Sequence, residues 1–337
     1  MKQSVRKLFF PVLSCIFLSL LSAGSWQDLP VERSGWKRVA TEPILTPTGN
    51  SWESAGTFNP AVIRDGNKIV MLYRAQDANG TSRLGYASSD DGVRFTRRAE
   101  PVFSPETPYE ENGGVEDPRL VKIGKTFYLT YTGYNTKDAQ LCLATSRDLI
   151  HWTRKGILLP AYKGNWNAGW TKSGAILSQK IHGRYWMYWL GTSPDKKDEM
   201  GLSHSSDLLH WTEATKTPVL ARRPGMFDER VVEPGPPPLL TDEGIVLIYN
   251  GADEHLVYRT GLAIFDRHDP RKLLWRSAQP VFAPEQPWEK IGQVPNVVFV
   301  EGLFKATNRF LLYYGGADKY VGVAEVSLPG LSMPDSR

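Results

Sequence analysis

One strand pattern recurs five times along this chain. Each copy is a run of β-branched and aromatic residues that ends in a turn signal, which is typical of a β-strand. The copies begin about 60 residues apart, a spacing typical of repeat architectures. They are KIVMLYRA at 68–75, KTFYLTYTGY at 125–134, RYWMYWLGT at 184–192, GIVLIYNGA at 244–252 and RFLLYYGGA at 309–317.

A second short strand follows each run, and helical periodicity is nowhere sustained along the chain. Repeating units of short strands at this period predict a propeller, whereas a two-sheet sandwich would not explain the period. Five units of about four strands fit the 337 residues. We therefore predict an all-β, five-bladed β-propeller in a single domain at 26–337, closed by pairing of the two chain ends and without long helices.

The first 25 residues have the composition of a secretory signal peptide. Lys2, Arg6 and Lys7 precede an apolar stretch, and small residues follow at 22–25. The apolar part is short and contains Pro11, so no stable membrane span is expected, although an uncleaved N-terminal anchor stays open. We predict export through a signal peptide at 1–25, to the periplasm or the extracellular space.

Charge and cysteine content narrow the range of partners. The formal charge is +4, but three of the 40 basic residues lie in the signal segment, and the remaining charges are balanced and interspersed. No basic patch indicates nucleic-acid binding. Cys142 is the single cysteine beyond the signal segment, so no internal disulfide is expected, and no metal site or cofactor is indicated. The sequence leaves the oligomeric state open.

Polar residues open the strand that precedes each repeated run. In a propeller the first strand of each blade lines the central channel, so the starts of these strands should meet at one mouth. Two carboxylates that share such a funnel should have raised and separated pKa values, as acid–base chemistry requires. Arg119, two residues beyond one of these acids, either binds substrate or pairs with a carboxylate. The five residues expected to ring the mouth are Asn59, Asp117, Lys172, Glu233 and Asn296.

Aromatic residues indicate the kind of ligand. The chain has 11 Trp and 14 Tyr, most of them expected in the blade cores. Trp166 and Trp170 lie in a loop with Asn165 and Asn167 and could instead stack on sugar rings. Carboxylates, amides and aromatic rings around one pocket favour an oligosaccharide substrate.

Several motifs occur in the order found in glycoside hydrolase family 130, and the chain resembles that family from about residue 40 to 326. The motifs are GTFNPAV, the LYRA that ends the next strand, GGVEDPRL, PGPPP, YNGAD, VPNVVF and YYGGAD. Members of the family are five-bladed propellers that act on β-mannosides. Most are phosphorylases, and some are inverting hydrolases of β-1,2-mannosides. The resemblance therefore implies a mannoside-active enzyme.

The resemblance also implies roles for particular residues. Asp117 matches the family's general acid, which delivers its proton through the 3-hydroxyl of the sugar. The residues matched to substrate-binding positions are Asn59, Arg74 and Asp318 in the −1 subsite, together with Thr57 and Tyr258. Arg119, Lys172 and Asn250 are further candidates for substrate binding, independent of these matches.

The phosphate site of the phosphorylases is altered in this sequence. Three cationic or donor positions of that site read here as Trp189–Leu190, Val231 and Asn250, so phosphate would lose charge-assisted hydrogen bonds. Glu233 stands where the phosphorylase motif has a glycine. A carboxylate at that position can activate water, as an inverting hydrolase requires.

We therefore predict an exported inverting β-mannosidase, with β-1,2-mannosides as the favoured substrates. Asp117 is the expected acid and Glu233 the favoured base, with Glu229 and Glu285 as lesser candidates for the base. A phosphorylase using Lys172 or Arg230 as a cation, a non-catalytic sugar-binding propeller, and a hydrolase of the family 43 kind are the alternatives.

Overall fold

The structure is a computed structural model, and it describes residues 36–49, 51–306 and 309–326. The predicted signal peptide at 1–25 lies outside the described residues. Within these ranges the chain is almost entirely β-strand. Helical structure there amounts to a 3₁₀ turn at Pro108–Glu110 and a single-turn helix α1 at Pro287–Lys290. None of the helices in the described part of the chain is long and apolar enough to span a membrane.

The strands form five consecutive blades, which confirms the predicted propeller. A short strand, β1 (Lys37–Arg38), comes first. Blade 1 contains β2 (Gly56–Asp65), β3 (Lys68–Gln76), β4 (Ser82–Ser89) and β5 (Thr96–Arg97). Blade 2 contains β6 (Gly114–Ile123), β7 (Thr126–Tyr134), β8 (Ala139–Ser146) and β9 (Trp152–Leu159).

Blade 3 contains β10 (Thr171–Ile181), β11 (Arg184–Thr192), β12 (Asp198–Ser205) and β13 (Thr212–Glu213). Blade 4 contains β14 (Val231–Pro234), β15 (Leu239–Leu240), β16 (Ile245–Ala252), β17 (Tyr258–Phe265) and β18 (Leu273–Arg276). Blade 5 contains β19 (Val298–Lys305), β20 (Phe310–Gly316) and β21 (Tyr320–Val326), and β1 is its outermost strand.

The two ends of the chain close the ring, as predicted. β1 pairs antiparallel with β21, with Lys37 opposite Glu325 and Arg38 opposite Ala324. Arg38 adds side-chain bonds across the same seam, from Nε to Glu289 (2.7 Å) and from a terminal nitrogen to the carbonyl of Ala283 (2.8 Å). The first strand therefore completes the last blade.

Four of the blades share a buried tyrosine–carboxylate–arginine arrangement. A tyrosine in the second long strand donates to a carboxylate from the segment that precedes the inner strand, and an arginine from the outermost strand pairs with the same carboxylate. This arrangement ties the edge of each blade to its inner part. The sets are Tyr73–Glu53–Arg97, Tyr131–Glu110–Arg154, Tyr249–Asp228–Arg276 and Tyr314–Glu289–Arg38. In blade 3 the corresponding residues are Trp189, Asn167 and Glu213.

The inner strands are interrupted by β-bulges near the axis. Register shifts occur between Phe58 and Pro60, between Glu116 and Arg119, between Lys172 and Ala175, and between Val300 and Gly302. A bulge breaks the strict alternation of a strand and redirects a side chain. Asn59, Asp117 and Ser173 occupy the first three bulges with φ of +47°, +50° and +58°, and Glu301 occupies the fourth. These four side chains meet at one mouth of the channel.

The opposite mouth of the channel is apolar. The far ends of the inner strands surround a cavity of about 430 Å³ there. Its walls are mostly aliphatic and aromatic side chains, with Lys122 and Arg64 among the polar residues. The apolar lining residues are Val62, Ile63, Leu120, Val121, Leu239, Leu303 and Phe304.

Candidate active site

Asp117 is the centre of a buried polar cluster at the first mouth. Its side chain is 3% exposed. One carboxylate oxygen accepts from Asn59 Nδ2 at 2.7 Å and from Arg74 at 3.1 Å. The other lies 3.4 Å from Lys172 Nζ. Blades 1 and 3 thus supply groups around a carboxylate of blade 2, because the starts of the inner strands meet at the axis.

Arg74 connects Asp117 with a second carboxylate, that of Glu116. A terminal nitrogen of Arg74 lies 2.5 Å from Glu116 Oε1, and its guanidinium stacks over the ring of Phe58 at 4.7 Å. Ser82 also donates to Glu116, at 3.5 Å. Arg74 therefore has fixed partners on both sides and a fixed orientation toward the mouth.

Glu233 lies across the channel from Asp117. The Ser173 hydroxyl donates to Glu233 Oε1, and both residues are buried. Lys172, which contacts Asp117, also acts electrostatically on Glu233, and so does Tyr258. The two carboxylates proposed for acid–base work are therefore linked through one lysine.

Arg119 and Glu301 form the buried base of this cluster. Arg119 is 1% exposed and donates to the carbonyls of Gly235 (2.9 Å), Pro234 (2.6 Å) and Asp117 (3.1 Å). It also lies 2.8 Å from a Glu301 carboxylate oxygen. Of the two roles open to Arg119, the structure shows pairing with a carboxylate. The guanidinium holds the backbone of blade 4 next to Glu233.

The pKa values of the acids in this cluster diverge. Burial raises the pKa of Glu233 above its ordinary value, and burial also raises the pKa values of Glu116 and, more strongly, Glu301. Burial raises the pKa of Asp318 to about 6, with the neighbouring Asp117 contributing in the same direction. The cause in each case is the cost of an ionised carboxylate away from water.

Asp117 differs from these acids. Burial alone would raise its pKa, but Lys172, Arg74, Arg119 and the Asn59 hydrogen bond together hold it below the ordinary value. The expected separation of the two pKa values is therefore present, but the expectation that both are raised is wrong for Asp117. Three cations surround it, and their attraction exceeds the cost of burial.

The cluster contains more acids than bases. Five carboxylates (Glu116, Asp117, Glu233, Glu301 and Asp318) share three cations (Arg74, Arg119 and Lys172). Carboxylates that interact this closely titrate as a group, and burial makes it costly to ionise all five at once. Although burial alone would lower the pKa of Lys172, the carboxylates raise it, so this lysine stays charged.

Thr57 and Asn250 are buried, but they differ in their partners. The Thr57 hydroxyl is buried without a hydrogen-bond partner, beside the bulge at Asn59. The Asn250 side chain instead bonds both backbone groups of Val300, from Nδ2 to its carbonyl and from its amide to Oδ1, each at 2.9 Å. Asn250 thus fixes the bulge that carries Glu301, and both of its polar atoms are occupied.

The two lesser candidates for the base lie outside the cluster. Glu229 is half-buried in the loop before β14 and accepts from the backbone amides of Gly225 (2.9 Å) and Glu254 (3.4 Å). The Glu285 side chain is 69% exposed and pairs with Arg38 at 2.8 Å, next to the outermost strand of blade 5. The structure does not bring either carboxylate together with Asp117.

The sequence analysis missed Glu116, Ser173 and Glu301. A signal for them was present, because the triplets FNP, EDP, KSG and VEG mark the four bulges. In blade 5 the bulge is at Glu301, five residues after Asn296, which the sequence analysis had placed in the ring. The Asn296 carbonyl accepts from the Tyr258 amide at 3.0 Å instead.

The two loop tryptophans have different environments. Trp166 stacks on Trp189 within blade 3, with ring centroids 5.4 Å apart. Trp170 is partly exposed, lies edge-on to Tyr134 at 5.8 Å and donates to the carbonyl of Lys137. Trp170 directly precedes the strand start that carries Lys172, whereas Trp166 is partly buried and packs against the core of blade 3.

An apolar group borders Glu233 where the phosphorylase motifs carry cations. Leu190, Val231 and Ala252 are buried, and Tyr258 packs against them. Arg230, beside Val231, pairs with Glu254 at 3.5 Å. The three cations of the cluster are likewise each paired with a carboxylate. In chemical terms the mouth offers two carboxylates of different proton affinity, hydrogen-bonding groups for a polyhydroxylated ligand and an apolar wall.

A five-bladed propeller with paired carboxylates at one mouth of its channel has the groups that a glycoside-active enzyme requires. The sequence model of glycoside hydrolase family 130, described as beta-1,4-mannooligosaccharide phosphorylase, matches residues 32–331. This chain belongs to that family and is a mannoside-processing enzyme.

Individual relatives agree with this assignment in sequence and, where solved, in structure. The 1,2-beta-oligomannan phosphorylase of Thermoanaerobacter is 38% identical over 88% of this chain and 99% of its own length. The crystal structure of a glycosyl hydrolase from Bacteroides ovatus is 35% identical, covers 90% of this chain and 96% of its own, and has a TM-score of 0.80.

A further solved structure is 35% identical, covers 89% of this chain and 96% of its own, and has a TM-score of 0.79. It is described with the words "The GH130 family of mannoside phosphorylases contains glycoside hydrolases that target beta-1,2 mannosidic linkages in Candida mannan".

Proposed function

We propose that this enzyme hydrolyses β-mannosidic linkages, with β-1,2-mannosides as the favoured substrates and with inversion at the anomeric carbon. The observation that carries the proposal is the surroundings of Glu233. A carboxylate and an apolar wall stand where a phosphate ion would need cations, and the nearby cations already have carboxylate partners. Water needs no such charge.

In this proposal Asp117 gives the proton to the leaving oxygen and Glu233 takes a proton from water. The productive form then has a protonated Asp117 and an ionised Glu233, the reverse of their proton affinities in the unliganded site. A single proton shared by the pair satisfies this requirement. The form with the proton on Asp117 has the same total charge as the form with the proton on Glu233, and it is present as the minor species. Sugar hydroxyls that replace Lys172 as partner of Asp117 would enlarge that species.

Phosphorolysis is the second candidate, and the names of the relatives favour it. The two Thermoanaerobacter relatives are a 1,2-beta-oligomannan phosphorylase and a beta-1,2-mannobiose phosphorylase, at 38% and 34% identity. In this alternative the acceptor would be inorganic phosphate, and Lys172 would be the cation that binds it. The cost is that Lys172 would have to leave Asp117, from which it is 3.4 Å away.

The direct experiment is product analysis with and without phosphate. Purified enzyme is incubated with β-1,2- and with β-1,4-mannobiose, in buffers with no phosphate and with millimolar phosphate. We expect free mannose of inverted configuration at a rate indifferent to phosphate, and faster turnover of the β-1,2 substrate. Formation of mannose 1-phosphate only on addition of phosphate would contradict hydrolysis and support phosphorolysis. Binding without turnover of either sugar would favour a sugar-binding module.

We also propose that the protein is exported, on the composition of residues 1–25. An extracellular hydrolase can release free mannose for uptake, whereas an extracellular phosphorylase would form a charged sugar phosphate outside the cell. Fractionation of the producing cell, with the N-terminus of the exported protein sequenced, tests this part separately.

A further inference from the structure

Blade 3 contains a cavity that lies outside the active site. The cavity measures about 320 Å³ and lies between the end of β9, the loop at 160–165 and β13. We call it the blade 3 cavity. Its floor and walls include Leu159, Trp189 and Trp211, and its rim includes Lys163, Asn165 and Glu213.

The other four blades show what normally occupies this position. There an arginine from the outermost strand reaches a loop carboxylate, and a tyrosine donates to the same carboxylate. The guanidinium also covers an aromatic ring, as Arg154 does over Phe103 at 4.1 Å and Arg38 over Phe282 at 4.4 Å. One long side chain thus occupies this position and pairs with the carboxylate.

All three residues differ in blade 3. Trp189 replaces the tyrosine, Asn167 replaces the carboxylate, and Glu213 replaces the arginine. The shorter Glu213 turns to the loop and accepts from the backbone amide of Asn165, at 3.0 and 3.2 Å. Because no guanidinium fills the space between Trp189 and Glu213, a cavity remains.

The substitutions leave polar atoms without partners. Trp189 is 1% exposed, lines the cavity, and its indole Nε1 has no hydrogen-bond partner. The neighbouring Trp166 Nε1 and Asn167 Oδ1 are also buried and unpartnered. A buried donor without an acceptor costs about 1–3 kcal/mol, so such atoms usually indicate a missing partner.

These atoms restrict the chemistry of that partner. The Trp189 indole requires an acceptor, which excludes a simple ammonium or guanidinium ion, and the Glu213 carboxylate requires a donor. A hydroxyl group is both. The cavity has aromatic and aliphatic walls, which suit the apolar faces of a sugar ring. The carboxylate, amide and ammonium at its rim suit the hydroxyls of the ring, and its volume lies in the range of small-molecule sites.

We propose that the blade 3 cavity is a second carbohydrate-binding site, separate from the channel mouth and selective for a neutral sugar ring. A second site of this kind would retain one end of a long or insoluble glycan while another segment occupies the active site, and it would raise the effective concentration of that segment. Only the choice of mannosides as probes rests on the proposed function.

The test follows the tryptophan indoles by NMR. The full chain carrying Asp117→Asn, labelled with ¹⁵N-tryptophan, is titrated with mannose and with β-1,2-mannobiose to tens of millimolar. The Trp189 and Trp211 indole signals are assigned by Trp→Phe variants. We expect both signals to shift and saturate with the sugar. If these indole signals shift with arginine or guanidinium but not with sugar, the ligand is not a sugar. If they shift with none of these ligands, the cavity is not a binding site.

Two substitutions of one residue provide the controls. Glu213→Arg restores the residue of the other blades and should abolish the sugar-induced shift of Trp189, while kcat and KM for mannobiose stay within about twofold. Glu213→Gln keeps the shape and the bond to the loop, and should weaken sugar binding about tenfold, because the hydrogen bond loses its charge. Undiminished sugar shifts in both variants would overturn the proposal.

The outcomes also separate this inference from the proposed function. If the unsubstituted enzyme cleaves no mannoside but mannose still shifts Trp189, the second site stands and the activity falls. If mannobiose is cleaved and Trp189 does not move, the activity stands and the second site falls.

Discussion

The two mouths of the central channel are built from the same strands, yet they have opposite chemistry. β2 carries Asn59 near one end and Val62 near the other, and β6 carries Asp117 and Leu120 in the same way. The difference begins at the bulges. At the polar mouth a bulge breaks the alternation and turns a polar side chain to the axis, and three of the four bulge residues have positive φ. Beyond the bulges, the far ends of the strands pack apolar residues.

This contrast shows that function at the axis depends on a local backbone irregularity and a matching set of charges. The fold itself needs neither of them at that place. Substitutions at the polar mouth should therefore change activity more than stability, and substitutions at the apolar mouth should do the opposite.

The largest effect is expected at Asp117. Asp117→Asn should lower kcat on mannobiose by about 10²–10⁴-fold, the usual contribution of a positioned proton donor. The loss should shrink for an aryl β-mannoside with a good leaving group, because that departure needs no proton. Asp65→Asn, at the far end of strand β2, is the matched control and should stay within about twofold. Equal losses of kcat on both substrates would contradict the role of Asp117 as the general acid.

Glu233→Gln should slow hydrolysis at least about 10²-fold while KM changes little, because a base acts in the transition state. Unlike the loss at Asp117, this loss should be the same for a good and a poor leaving group. Glu229→Gln, the same change outside the cluster, is the control. If Glu233→Gln proves harmless while Glu229→Gln or Glu285→Gln is damaging, then the base is the residue whose loss is damaging.

The pH profile of kcat/KM should be bell-shaped with widely separated limbs. The pair must hold one proton, so activity is lost as pH rises through the raised pKa of Glu233 and as pH falls through the lowered pKa of Asp117. Each limb should change kcat/KM about tenfold per pH unit. Steady-state rates over the range in which the protein stays folded measure both limbs. An acid limb at the ordinary aspartate value would show that the cations do not protect Asp117.

Asp318→Asn should stabilise the protein at neutral pH and weaken its activity. Burial raises the folded-state pKa of Asp318 to about 6, above the value of 3.8 in the unfolded chain. Stability is therefore lost as pH rises from about 4 to 6, because the unfolded chain releases this proton first. We expect the unfolding midpoint to rise by about 2–4 °C at pH 7 and not at pH 4. A midpoint that is unchanged at pH 7 would contradict the cost of ionising this half-buried carboxylate.

The smallest effect on activity is expected at the apolar mouth. Val62→Ala removes two methyl-sized groups and should lower the free energy of unfolding by about 1.5 kcal/mol, at about 0.8 kcal/mol for each group. Its kcat/KM on mannobiose should stay within about twofold. Denaturant unfolding and steady-state kinetics on the same preparation measure both. A tenfold loss of kcat/KM would show that the apolar mouth and the polar mouth of the channel are coupled.

Much of this arrangement could be predicted from the sequence because the repeat fixes which residues start an inner strand. Asn59, Asp117, Lys172 and Glu233 lie far apart along the chain and still meet, as the propeller requires. Closure by the chain ends was also predictable. Glu301 was not, because the bulge of blade 5 lies five residues beyond the position given by simple alignment.

Other features depend on contacts that a sequence does not list. The lowered pKa of Asp117 results from three cations that come from different strands. Asn250 has a polar type suited to a ligand, yet the bulge at Val300 occupies both of its polar atoms. The position of Glu285 at the rim follows from its pairing with Arg38 across the closing seam. Each is decided by which backbone or side chain arrives nearby in the folded chain.

The seam between β1 and β21 has a consequence for how the protein folds. Arg38 and Glu289 are 251 positions apart, so blade 5 cannot be completed until nearly the whole chain is present. Contacts this distant along the chain are slow to form, because the intervening loop must first lose its freedom. Until then β21 is an unprotected edge that can pair with the edge of another molecule. A ring closed in this way folds more slowly, but its native state has no open strand edge at the seam.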